Sequence, residues 1–167
     1  MSKKYPVIAI TGSSGSGTST VRDSFQHIFT RDGIDADIIE GDAFHRYERH
    51  EMDGLIKKNR HNSEIDFSHF SPDANLLSDL AKTFHQFGKN GKYKTRHYVH
   101  TEEQAIIFKQ KTGSMTPWED ASSELLFYEG LHGGYVGPGA DVAKHVDLLI
   151  GVVPIINLEW IQKLHRD

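Results

Sequence analysis

The stretch Tyr5-Pro6-Val7-Ile8-Ala9-Ile10-Thr11-Gly12-Ser13-Ser14-Gly15-Ser16-Gly17-Thr18-Ser19-Thr20 admits few folds. Residues 7–10 are a short apolar run that reads as a buried strand. A glycine-rich turn follows, and an amphipathic helix begins near Thr18. Strand, glycine loop and helix in that order are the setting of a phosphate-binding loop. Glycine permits positive φ, which lets backbone N–H groups close on an anion. The helix N-terminus adds unpaired N–H groups and the positive end of a dipole. Gly12 and Gly17 are five residues apart, as the nucleotide-binding P-loop requires, and Ser19 stands where a hydroxyl binds Mg²⁺. Thr18 occupies the usual lysine position, so the cation that meets the β- and γ-phosphates is missing from the loop. A ligand-free strand-to-helix turn is the alternative, and the preceding apolar strand favours phosphate binding over it. The candidate nucleotide contacts are Gly12, Ser13, Ser14, Gly15, Ser16, Gly17, Thr18, Ser19 and Thr20.

Downstream, Val21, Phe25, Ile28 and Phe29 fall at helical spacing and Gly33 is a stop signal, so the first helix covers about residues 18–31. A second strand spans 34–40, and Asp42 lies just past its carboxyl end, the edge where open α/β sheets gather ligands. On a helix over part of 44–58, His45, Arg46 and Arg49 would share a face with Asp42. Ser71-Pro72 reads as a helix cap and first residue, Leu76, Leu77, Leu80, Phe84 and Phe87 form an apolar stripe, and Gly88 ends it. Residues 91–100 alternate enough for a strand or hairpin arm, whose Lys92, Lys94 and Arg96 face an anionic ligand or water, with water favoured for most of them. Residues 101–124 read as a polar surface excursion. Residues 125–129 are a buried strand ending in Glu129, the position of the second acid of a P-loop site, which helps hold Mg²⁺. Another strand spans 146–153, and Pro154 opens a last helix. There Glu159, Lys163 and Arg166 share a polar face: a solvated surface with an ion pair, or a cationic clamp replacing the absent lysine.

With 167 residues, 37% of them hydrophobic, the chain suits one globular domain, 1–167. A net charge of −4 gives no global electrostatic case for nucleic acid or membrane binding. Eleven histidines make charge sensitive to pH between about 6 and 7. The absence of cysteine excludes disulfides and thiol redox control, and fits a cytoplasmic protein. The N-terminal apolar run is too short for a signal peptide or membrane span.

These pieces together resemble the bacterial type of the phosphoribulokinase and uridine kinase family. The resemblance runs over 7–167. It is carried by Gly-Ser-Ser-Gly-Ser-Gly-Thr-Ser-Thr at 12–20, Glu-Gly-Asp-Ala-Phe-His-Arg at 40–46, Phe-Ser-His-Phe at 67–70, Leu-Phe-Tyr-Glu-Gly-Leu-His-Gly at 126–133 and the whole of 152–167. Thr18 in place of lysine is itself typical of that branch. The resemblance implies an α/β fold: a P-loop NTPase-like sheet, mostly parallel and flanked by helices. It implies transfer of the γ-phosphoryl group of ATP to the C1 hydroxyl of ribulose 5-phosphate, with Mg²⁺. It makes Asp42 the catalytic base, gives His45 and Arg49 to the sugar phosphate, and places Glu129 near the metal beside Ser19. Lys163 and Arg166 become phosphate-engaging residues, and Asp167 a second functional acid. Family members continue past the equivalent of Asp167, so the expectation is a chain lacking their C-terminal portion, with an incomplete sheet and an unpaired edge. A small-molecule sugar phosphate and ATP are the expected partners, and a homo-oligomer is compatible with the resemblance. A uridine kinase-like enzyme and a catalytically inactive nucleotide-binding module are the rivals. The cations at His45, Arg46 and Arg49 favour an anionic acceptor over a nucleoside.

Overall fold

The structure, a computed structural model, describes residues 4–59 and 67–154 together with Asn157, Ile161 and Leu164. Lys163, Arg166 and Asp167 lie outside the described residues, as does most of the helix expected after Pro154.

Four parallel strands form the centre, in the order β2 (Ala36–Glu40), β5 (Leu125–Glu129), β1 (Val7–Gly12), β8 (Leu148–Val152). The alternation of side chains along each strand builds a core on each face. Val7, Ala9, Leu126 and Tyr128 point to one side, where Leu80, Phe84 and Phe87 of α3 (Leu77–Asn90) cover them. Ile10, Leu125 and Phe127 point to the other, against Phe29, Phe25 and Val21 of α1 (Thr18–Asp32). Ile28, expected on the packed face of α1, points outward. Parallel pairing sets all four carboxyl ends on one edge: Ile10 and Glu40 both stand opposite Glu129. Close approach at that edge requires glycine. A methyl group on Gly41 would come within 2.6 Å of the Tyr128 hydroxyl, and one on Gly130 within 2.8 Å of the Gly41 Cα.

Several expectations fail for tertiary reasons. The turn Gly41–Phe44 is a short 3-10 helix and the backbone is extended at His45, so no continuous helix carries Asp42, Arg46 and Arg49 on one face. The groups that would extend the helix are engaged elsewhere: Leu76 N–H donates to the Phe44 carbonyl and Arg46 N–H to that of Ala74. The next helix, α2, runs Arg49–Asn59. Ser71-Pro72 does not open α3. Pro72–Ala74 is one 3-10 turn, and Asn75 is extended because it bridges to His45 while its amide donates to the His69 and Ser71 carbonyls. α3 ends at Gly91, with φ 70°, rather than at Gly88.

Residues 101–124 are more ordered than expected. They contain α4 (Glu102–Phe108), opened by a capping box between Thr101 and Gln104, and β4 (Glu119–Ser122). β4 pairs antiparallel with β3 (Lys92–Thr95), forming an arm beside the main sheet. A small ribbon, β6 (Val136–Gly137) and β7 (Ala140–Asp141), follows β5. Among the described residues nothing pairs the outer edge of β8, where Leu148 and Leu149 are exposed. Among them, too, no helix is long and apolar enough to cross a membrane.

Candidate active site

A cleft of about 790 Å³ opens along the carboxyl edge of the sheet. Its floor is the loop between β1 and α1. Gly15 and Gly17 adopt φ of 84° and 96°, and Gly17 caps α1 without a side-chain bond, so the first N–H groups of the helix face the cleft. A methyl group at Gly12 would lie 2.4 Å from Ser16 Oγ and 2.9 Å from the Val152 carbonyl. Ser16 itself is buried, and its hydroxyl is without a partner among the described residues. The cleft is lined by Gly12, Ser13, Ser14, Gly15, Gly17, Thr18, Ser19 and Thr20, all of them expected nucleotide contacts.

The missing lysine has a structural counterpart. The Thr18 hydroxyl donates to Glu129 Oε1 at 2.6 Å. One helical turn on, Arg22 Nη1 lies 3.3 Å from Glu40 Oε1 and 3.5 Å from Glu129 Oε2. β2 and β5 both end in glutamate, in register, and Arg22 relieves the repulsion between them. Glu129 is the best-shielded of these acids, with its side chain 14% exposed. The hydroxyl of Ser19 and the carboxylate of Glu129 are hard oxygen donors on the same cleft, a set that fits Mg²⁺ shared with phosphate oxygens rather than an all-protein cage. No group of three or more His, Asp or Glu side chains among the described residues is placed to hold a metal alone.

At the other end, Asp42 presents its carboxylate between two imidazoles. His45 Nε2 lies 3.3 Å from Oδ1 and His100 Nε2 lies 3.4 Å from Oδ2. Burial pushes the His45 imidazole below its ordinary pKa, Asp42 pushes it back up, and His69, His100 and His132 push it down again. Burial also lowers His132, whose ring meets the Phe70 carbonyl at 3.3 Å. Tyr98 stands edge-on to His45, with ring centroids 5.6 Å apart, and the Arg49 guanidinium lies 6.0 Å from the Tyr98 ring. The structure therefore brings Asp42, His45, Arg49 and Glu129 into one cleft with the glycine loop.

Sequence reasoning missed Arg22, Tyr98, His100, His69 and His132 as lining residues. A signal for two of them exists: residues 96, 98 and 100 share one face under the alternation already visible in 91–100. Arg96 is a correction. It was one of three cations expected to face an anionic ligand or, for most of them, water; instead its guanidinium bonds the carbonyls of Ala43 and His45.

The model of the Phosphoribulokinase / Uridine kinase family matches residues 7–167. The chain is 54% identical to phosphoribulokinase of Sinorhizobium medicae and 52% identical to a probable phosphoribulokinase of Escherichia coli, in each case over 100% of this chain and 58% of the relative. Among solved structures, phosphoribulokinase from Rhodobacter spheroides superposes with a TM-score of 0.85 at 47% identity, covering 99% of this chain and 57% of that one. The chain thus spans little more than half the length of the relatives it matches.

Proposed function

The chain belongs to the phosphoribulokinase and uridine kinase family, and from that premise we propose that it transfers the γ-phosphoryl group of ATP to the C1 hydroxyl of ribulose 5-phosphate. The observation that carries this reading is the cleft shared by the glycine loop and Asp42, with the Asp42 carboxylate bracketed by His45 and His100 at 3.3 and 3.4 Å. Phosphoryl transfer needs alignment and charge neutralisation more than covalent assistance. In this reading the loop N–H groups hold the nucleotide phosphates, and Asp42 accepts the proton of the attacking hydroxyl. His45 and Arg49 orient the sugar phosphate. Ser19 and Glu129 would hold Mg²⁺, which when bound neutralises charge on the transferring group. Lys163, Arg166 and Asp167 keep the roles the family resemblance assigns them: the first two engage phosphates, and Asp167 is a second functional acid. Residues 1–167 then form one P-loop kinase domain, and its dependence on ATP suits the cytoplasm.

The Arg49 guanidinium, on the same cleft as Asp42, supports a phosphorylated acceptor over uridine. The deciding experiment measures ADP release from Mg·ATP with ribulose 5-phosphate, with uridine and with neither, beside Asp42→Asn. Release that needs the sugar phosphate and collapses in Asp42→Asn is expected. Release with uridine alone would replace the acceptor. Mg·ATP binding by a folded chain that releases no ADP with either acceptor would leave a nucleotide-binding module.

A further inference from the structure

The arm formed by β3 and β4 meets the Asp42 loop through side chains that flank its strands. Arg96 follows β3, and Trp118 immediately precedes β4. The Arg96 guanidinium lies 4.4 Å from the centroid of the Trp118 ring. From that seat its Nε donates to the Ala43 carbonyl at 2.6 Å and its Nη2 to the His45 carbonyl at 2.7 Å. These carbonyls flank Phe44, whose ring packs edge-on against the same Trp118 at 5.5 Å. A planar fork with two parallel donors fits such a pair of acceptors in a way a lysine ammonium does not. The backbone is extended at His45, so neither carbonyl is taken up by a continuing helix. Tyr98 and His100, further along the segment that follows β3, reach His45 and Asp42 themselves.

Neither Arg96 nor Trp118 lines the cleft. Arg96 is half-buried; burial pulls its pKa below the ordinary value and the carboxylate of Glu48 pushes it back up, so it remains a cation. A direct part in binding phosphate does not fit this placement.

We propose that Arg96 is a positioning residue for the acceptor half of the site: by holding the backbone on both sides of Phe44, it presents Asp42 and His45 together to the acceptor. The inference rests on the kinase reading above for its catalytic consequence, and on geometry alone for its structural one. Misplacing a reacting group by about 1 Å costs about 10²-fold in rate.

The test compares the 167-residue chain with Arg96→Met and Arg96→Lys. Arg96→Lys, which keeps the charge but cannot offer the fork's two parallel donors, serves as the gentler change should Arg96→Met fail to fold. The expected result is a fall in kcat of about 10²-fold in Arg96→Met, incompletely rescued by lysine, with Mg·ATP affinity changed less than about twofold. Backbone ¹⁵N order parameters should fall over residues 42–46 and stay unchanged in the glycine loop. A purely structural role would lower stability while leaving kcat per folded molecule and the order of the Asp42 loop as they were; that outcome overturns the inference. Should the parent chain turn over no acceptor, the kinase reading fails, and the order parameters alone decide whether Arg96 holds the loop.

Discussion

At Glu129 the carboxylate accepts from Thr18, faces Arg22 across 3.5 Å and stands beside Glu40 on the neighbouring strand. Two acids in register with one cation between them make Arg22 the residue on which that corner depends. These groups are partly exposed, so solvent screens the pair and its loss is a modest stability effect. Arg22→Ala is therefore expected to destabilise the metal-free chain by about 1 kcal/mol or less, and Mg·ATP to narrow that deficit by bringing a cation to Glu129. Urea unfolding with and without Mg·ATP reads this; an Arg22→Ala deficit indifferent to Mg·ATP would sink the idea that Glu129 faces the metal. At Asp42 the expected effect is catalytic. Asp42→Asn keeps the side chain's size and removes the proposed proton acceptor, so acceptor-dependent ADP release should fall by about 10²–10⁴-fold while Mg·ATP affinity holds. Equal losses in both would point to a nucleotide-binding role for Asp42 instead.

Between elements, the tips of β2 and β5 close on each other through Gly41 and Gly130 above the Tyr128 hydroxyl. Gly130→Ala places a methyl group against backbone, which cannot yield as a side-chain end can. It should cost about 1–3 kcal/mol by overpacking and displace Asp42 relative to Glu129, with turnover falling more than stability alone explains. Thermal unfolding beside single-turnover rates separates the two effects, and a turnover that merely tracks the folded fraction would remove the positional argument. The same contrast shows which elements were readable beforehand. β1, α1 and β5 carry their instructions locally, in apolar runs, a glycine turn and period-3.6 spacing, and the expected positions of Gly12, Gly33 and Glu129 agree with the structure. The stripe of α3 was equally plain, though its start was not, because Asn75 is drawn into an extended bridge with His45. Arg96 could not be placed from its neighbours. Its partners are 53 and 51 residues away along the chain, and local pattern carries no information about such a meeting. His100 shares the alternation of its neighbours, but that local pattern could not show its meeting with Asp42.

Over the whole molecule, charge and edge matter most. His45, His132 and His145 are all held below the ordinary histidine pKa, chiefly by burial. Between those lowered values and about 6.5, the unfolded chain binds more protons than the folded one, so stability rises with pH across that window and is lost as pH falls through it. The urea midpoint should thus drop on going from about pH 7.5 to about pH 5.5, and His45→Gln should flatten part of the slope; an unchanged slope would assign the dependence to other groups. β8 leaves an exposed row of Leu148, Leu149 and Val153 along the sheet margin. Leu148→Lys should reduce concentration-dependent light scattering without altering Mg·ATP affinity, and equal scattering would clear that margin of blame. The cleft itself is assembled from two sources. One end comes from the glycine loop and the tips of the central strands, while part of the other, Tyr98 and His100, comes from the segment that follows β3. Such a site is divisible: under the proposed kinase reading, that segment can be rewritten by mutation to suit another acceptor while the glycine loop is inherited untouched.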